Sequence, residues 1–568
     1  MLAITIKIVL PKICVLYICA LNIALEIGIV NRFELFFGKK VIFQKRLVMK
    51  FVKATVILGC AVFFTSCSQT ASGPNYDDSA TKSSSSKKGD KSSSSKEKVS
   101  SSSFAEDLDE DCVGEIGNAW DGTTAKKFAC GAGTKLSPYI ILTAEQLAKL
   151  SFIVGANETE YQGKYYKLGA DIILNEGKII DEKGALVADS AKLHKWTPIG
   201  NSSVAFTGNF DGDGHTVSGM FINTTSSHNG LFGNNQGNIS NLILKNSWVS
   251  GGKLTAGIAG SNGGSITQTT NFSSIIGNGD CTGGIAGQSN GPSPKKALIS
   301  SSANYGIIKG KDYTGGIAGQ AYQASVEGVE NHGLVEGNAN VGGIAGRGAY
   351  TYVSSYFMDC KNAKNFADIS GVNNVGGIIG GAGYVSYTIS TGNILAAINN
   401  TENEGNVSGK KYVGGIAGTA NKVSINNAGN KASVEGMDYV SGVAGNLLAS
   451  NSSFLYNTGN VSGSTYVGGI IGYNSEGVTS AAYSTGKVDG DSLVGLMIGY
   501  NYNTTMADYY YLEQGEQEPF GLNNGGGVAT PKTSDEMKSE DFAELLGDEF
   551  VYDSELNDGY PILKWEEE

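Results

Sequence analysis

The chain has 568 residues, 80 of them Gly, with 17% charged residues and a net charge of −12. That is about twice the usual Gly and clearly less than the usual ~25% charge, which sets it apart from an ordinary cytosolic enzyme. After Arg46 the one further arginine is Arg347, so no basic stripe can track a phosphate backbone, and nucleic acid is excluded as a partner.

In chain order, Ile4 to Val30 is largely apolar and long enough to span a bilayer, although Pro11 and Lys12 interrupt it. Residues 1–48 read as an upstream extension preceding the true start at Met49, or as a membrane segment if Met1 is genuine. Residues 49–67 have a basic start, an apolar run and small residues before a cysteine, the layout of a secretory signal. Phe64-Thr-Ser-Cys67 resembles a lipobox, which implies lipidation of Cys67 and, with no Asp at Ser68, an outer-membrane destination. A plain signal peptide or an uncleaved anchor is the alternative. Residues 68–110 are rich in Ser and Lys and cannot bury enough apolar surface to offset their ordering entropy. They read as a disordered tether, and 36 flexible residues (Ser68 to Ser103) have an r.m.s. reach of roughly 35 Å.

Residues 111–200 read as an N-terminal cap. Cys112 and Cys130 flank a short loop in an exported chain, and a disulfide closing it would add on the order of 3 kcal/mol. Thr143-Ala-Glu-Gln146 fits a capping box ahead of Leu147, Leu150 and Ile153, predicting a helix over Ala144 to Ile153. Tyr165 to Leu168 and Asp171 to Leu174 read as strands.

Residues 201–511 carry the main signal. One Gly of each recurring Gly-Gly-Ile-Ala-Gly phrase lies 27 residues from the next at Gly230–Gly257–Gly284, Gly316–Gly343 and Gly415–Gly442–Gly469. The intervals of 32, 34 and 38 between the other copies read as the same unit with loop insertions after Gly287, Gly346 and Gly380. A second phrase alternates within the period, as in Asn331-Gly333-Val335-Gly337 and Asn403-Gly405-Val407-Gly409. So much Gly would cost a helix about 1 kcal/mol per residue against Ala. Short strands joined by Gly, Asn and Ser corners remain, stacked as a parallel β-helix, or β-solenoid, of about ten coils. At ~4.8 Å per strand, Cys281 and Cys360, about three coils apart, cannot bridge and should be buried free thiols or ladder positions. Residues 512–568 read as a C-terminal cap: a helix begun at Thr533 and closed by Gly547, then a strand from Tyr560 to Trp565. The fold class is therefore all-β with small α/β caps at both ends, the caps covering open coil edges.

Val341-Gly-Gly-Ile-Ala-Gly346, Val413 to Gly418 and Val467 to Gly472 resemble the bacterial GLUG repeat family. Trp196 to Gly200, Phe206 to His215, Gly230 to Gly233 and Ile239 to Leu244 are similar to the opening segment of such proteins. Asp558 to Trp565 is similar to their closing segment, so the resemblance spans about Gly131 to Trp565. It implies a secreted or surface protein, adhesins included, and brings no catalytic residues with it.

Among candidate sites, Asp211-Gly-Asp-Gly214 has the look of a calcium loop but lacks the downstream bidentate Glu, and a tight turn explains it better. Asn304, Asn331, Asn403 and Asn457 could face a glycan, but a ladder of amide hydrogen bonds is the simpler reading. Tyr412, Tyr439 and Tyr466 follow one another at intervals of 27 and are expected to line one outer face, with Tyr322, Tyr350, Tyr384, Tyr473 and Tyr500 widening it. Such a row suits the apolar faces of sugars, and equally it suits stacking without any ligand. His194, His215, His228 and His332 form no zinc spacing, and Arg347 and Asp359 stand alone. No catalytic residue, metal or cofactor is expected. The reading is a cell-surface, outer-membrane lipoprotein, held by its lipid anchor, whose solenoid is a non-catalytic adhesion or glycan-binding module for polysaccharide or another cell surface. The alternatives are a carbohydrate-active β-helix enzyme, lyase or hydrolase, and a passive spacer.

Overall fold

The computed structural model describes residues 112–349, 357–383 and 394–567. Cys67, the signal and tether segments, Tyr350 and Tyr384 lie outside the described residues, as do most of the two loops after Gly346 and Gly380. The described chain is a β-solenoid. Each coil crosses three parallel sheets: in one, Ala396–Asn403 and Val407–Ser408 run in the first sheet, Lys411–Gly414 in the second and Ala417–Asn421 in the third. The next coil repeats this with Val423–Asn430, Val434–Glu435, Asp438–Ser441 and Ala444–Leu448. Register follows the sequence period, so Val413 pairs with Val440 and Val440 with Val467. The third sheet holds 11 strands, one per coil, against the ten expected.

Inward positions are β-branched and stacked on themselves. Val413, Ile416, Val423, Ile425 and Val440 are fully buried in one continuous core, each worth about 2 kcal/mol relative to exposure. The described insertion lies between Ala286–Ser289 and Ala297–Ser300. The other two leave after Gly348 and Gly383 and rejoin at Met358 and Ala396. All three therefore emerge at the corner between the third and first sheets.

Glycine and asparagine belong to one device. Asn271, Asn304, Asn331, Asn365, Asn403, Asn430 and Asn457 are fully buried, and each of the first six donates its Nδ2 to the next Oδ1 at 2.7–2.9 Å. Each also donates to a carbonyl two residues on, such as Asn403 to Gly405 O at 2.8 Å. The second Gly of the glycine phrase lies against this ladder: a Cβ on Gly415 would meet Gly442 O at 2.1 Å and Asn430 Cγ at 2.4 Å.

At the N-terminal end, α1 (Ala144–Gly155) starts where Thr143 accepts from Gln146 N. Gln146 Oε1 takes Leu142 N at 2.8 Å rather than completing a capping box. Its buried Leu147, Leu150 and Val154 join the solenoid core. The strand Tyr139–Ile141 pairs with Tyr165–Leu168, which pairs with Asn209–Asp211, so the cap continues the first sheet. Cys112 and Cys130 are joined by a disulfide. Cys281 and Cys360 are free and buried, and burial pushes both thiols up to about 12.

The C-terminal segment departs from expectation. The helix predicted from Thr533 is two short ones, α2 (Ser534–Met537) and α3 (Glu540–Leu546), because Ser539 caps a second start. The last strand is only Ile562–Leu563, paired antiparallel with Phe550–Val551. These elements pack on the flank of the first sheet, where Phe542, Leu546 and Phe550 cluster with Tyr456, Tyr483 and Tyr510. The expectation that this segment covers the open coil edge is corrected. The final rung, Phe520–Asn524 and Ala529–Lys532, is largely exposed, and Pro531 in it withholds a donor, which blunts pairing with another chain.

Candidate functional site

The second sheet turns sharply just before each inward Val, and Tyr412, Tyr439 and Tyr466 occupy that turn in left-handed backbone, with φ of 58°, 59° and 57°. This conformation throws the side chain off the inward alternation and stacks successive rings along the coil axis. Tyr439 lies between its neighbours, 4.7 Å from Tyr412 and 4.4 Å from Tyr466, the latter pair within 8° of parallel. From the third sheet, Tyr473 meets Tyr439 and Tyr466 edge-on at 6.1 Å each. Tyr500 follows at 5.4 Å from Tyr473, and Tyr502, exposed, lies 6.3 Å from Tyr500. Lys411 Nζ lies 4.9 Å from the Tyr412 centroid. Burial, then the neighbouring phenols Tyr466 and Tyr412, push the Tyr439 hydroxyl up to about 12.

The stacking decides what this corner offers. Both faces of Tyr439 are covered by other rings, so the middle of the row presents edges and hydroxyls, and free ring surface is left toward Tyr500 and Tyr502. Of the widening residues, Tyr473 and Tyr500 join the row. Tyr322 sits earlier in the solenoid, beside Gln320.

Other sequence candidates are taken up by structure. Asp211 Oδ1 accepts from Asp213 N at 2.9 Å and from Asn241 Nδ2 at 2.8 Å, and Asp213 pairs with Lys167 at 3.0 Å, which makes this a turn. The histidines are dispersed. His215 faces Asp171 at 3.4 Å and His332 faces Glu330 at 2.9 Å. Arg347 Nη1 donates to Tyr313 Oη at 2.9 Å. Among the described residues, no group of three or more His, Cys, Asp or Glu is placed to hold a metal.

Two aromatic rows escaped sequence reasoning. Phe272, Tyr305, His332 and Phe366 stack at 4.8, 4.4 and 4.5 Å on the outside of the first sheet. Their intervals of 33, 27 and 34 and their mixed residue types hid them. Tyr456, Tyr483 and Tyr510 keep strict intervals of 27, a legible signal, and form the seat of the C-terminal segment.

No family model matches the chain. A protein of Evansella cellulosilytica, provisionally named a Gly-rich membrane protein, is 32% identical over 126 residues, 22% of this chain and 13% of its own length. Halomucin of Haloquadratum walsbyi is 34% identical over 138 residues, 23% of this chain and 1% of its own. The chain thus spans a small part of these curated relatives. A crystal structure from Bacteroides ovatus, provisionally named an immunoglobulin A1 protease, aligns over 77% of this chain and 95% of that one, at 19% identity and a TM-score of 0.34. A score that low supports no inference. Among the described residues no helix is long and apolar enough to cross a membrane.

Proposed function

We propose that this is a GLUG-type surface lipoprotein, anchored in the outer membrane through Cys67, whose solenoid acts as a non-catalytic adhesion or glycan-binding module. The observation that carries the reading is the tyrosine corner: six phenols from two sheets gathered on a scaffold of stacked strands, with rigid, partly exposed edges and hydroxyls. Tyrosine supplies amphipathic contact area at low entropic cost, which suits recognition of polyhydroxylated surfaces. Names on short matched segments of membrane and Gly-rich proteins agree with a surface setting, and fold alone decides nothing about activity.

The test incubates the protein with plant-cell-wall polysaccharides and measures both pull-down and released reducing ends. Binding without release, reduced when Tyr412, Tyr439 and Tyr466 are replaced together by Ala, is the expected result. Release of oligosaccharide would establish the carbohydrate-active enzyme instead, and absence of any binding would leave a spacer. Intact mass of the mature protein reports acylation at Cys67 and the true start together.

A further inference from the structure

A second amide row runs along the first sheet, outside the core. Gly328, Asn362, Asn400 and Asn427 occupy equivalent left-handed positions, with φ of 58°, 52°, 53° and 53°, a conformation that Gly and Asn adopt at least cost. Asn427 Nδ2 donates to Asn400 Oδ1 at 3.1 Å, and Asn400 Nδ2 donates to Asn362 Oδ1 at 3.0 Å. At the next rung stands Gly328, so the row stops. The Nδ2 of Asn362 has no protein acceptor among the described residues. A Cβ on Gly328 would meet only Ser301 N, at 3.9 Å.

The C-terminal segment closes the other side of this gap and leaves a groove of about 530 Å³, within the range of small-molecule sites. Lys564, Trp565 and Glu549 line it from that segment, and Glu330 and Lys364 from the solenoid. Trp565 Nε1 is buried there without a hydrogen-bond partner, a state that normally calls for an explanation. Two carboxylates and two ammonium groups balance in charge. Glu549 accepts from Asn427 at 3.2 Å, and Lys364 lies over the Trp565 ring at 5.0 Å.

We infer that this groove binds a short neutral saccharide, with Asn362 and Lys564 donating to its hydroxyls, Glu330 accepting from them and Trp565 walling the site. Interleaved donors and acceptors with no net charge, beside an indole, match a polyhydroxylated uncharged ligand. The inference rests on the glycan-binding reading for its ligand class but stands on residues separate from the tyrosine corner.

The test titrates the full chain with cellohexaose, mannohexaose and xylohexaose, and with trigalacturonate for comparison, by calorimetry. At least one neutral hexaose is expected to bind. Gly328→Asn, whose amide would extend the row and fill the gap, should weaken that binding at least tenfold with Tm unchanged or raised, and Lys564→Ala should weaken it without altering Tm. The triple Tyr412, Tyr439 and Tyr466 to Ala variant should keep groove binding within twofold. Failure of every hexaose to bind, equal binding by both Gly328→Asn and Lys564→Ala, or tighter binding of trigalacturonate overturns the inference. Loss in the tyrosine variant with Gly328→Asn unaffected also overturns it, and would leave the proposed function standing on the tyrosine corner.

Discussion

At the residue scale, the recurring glycines are required by close approach rather than by flexibility. A methyl on Gly415 would sit 2.1 Å from the Gly442 carbonyl oxygen of the next coil, and that carbonyl lies in the tight bend between the strands Asp438–Ser441 and Ala444–Leu448, which are paired with coils on both sides. Nothing flexible can yield, so Gly415→Ala should cost more than about 3 kcal/mol, seen as a lowered urea midpoint. Its partner in the device is Asn403, which accepts from Asn365 at 2.8 Å and donates to Asn430 Oδ1 at 2.7 Å and Gly405 O at 2.8 Å. Asn403→Ala would remove a buried partner from each of Asn365, Asn430 and Gly405 and should cost about 3 kcal/mol. Asn403→Asp should cost more, since a carboxylate has no proton for Asn430 or Gly405. Both are read from the same melts, and a cost below that of an ordinary surface substitution would show that the ladder is passive filler.

At the element scale, the C-terminal segment is clasped to the flank by a buried ionic cluster. Glu566 Oε2 accepts from Tyr456 Oη at 2.9 Å and faces Lys431 Nζ at 3.5 Å, and Lys431 also pairs with Glu402 and with Glu404. Burial, then the Glu402 carboxylate, push Glu566 up to about 7 from an ordinary 4.5, against the pull of Lys431 and Tyr456. An acid whose folded pKa lies above its unfolded value gives its full contribution below the unfolded pKa and loses it as pH rises through the folded one. Docking should therefore weaken between about pH 4.5 and 7, measured as faster hydrogen exchange of Ile562 and Leu563 after correction for intrinsic rates. Glu566→Gln should flatten that dependence, and an unchanged slope would remove Glu566 as its source. This clasp also marks where sequence reading stopped. The period of 27, the glycine phrase and the Asn ladder were legible because each coil must repeat the same inward side chains. The place of the C-terminal segment was not, because helix caps at Thr533 and Ser539 fix local structure and say nothing about which surface receives it. The row at Gln268, Ser301, Gly328 and Asn362 was hidden because its shared property is a positive φ, which several residue types satisfy. The tyrosine row and its stacking were legible from the interval of 27, whereas the left-handed backbone that seats the rings is not revealed by spacing.

At the scale of the whole solenoid, stability should be close to a sum of coil terms and nearest-neighbour interfaces, because each strand pairs only with the coils before and after it. Register then matters more than length. Removing residues 257–283 would join Ala256 to Gly284 and bring together coils that already share every inward position, since Phe232, Ala259 and Ala286 stack in one column of the third sheet. The shortened protein should keep its β-type circular dichroism and lose about one coil's share of stability. A separate buried amide row in the third sheet, in which Asn235 Nδ2 donates to Asn262 Oδ1 at 2.9 Å and Asn262 Nδ2 to Ser289 Oγ at 3.2 Å, would close with Asn235 facing Ser289. Removing only residues 257–269 deletes half a period and turns the following strands' apolar side chains away from the core, at about 2 kcal/mol for each one exposed. That variant should aggregate or lose its cooperative melt. If both deletions behave alike, the stacked 27-residue coil is not the unit that holds this fold together.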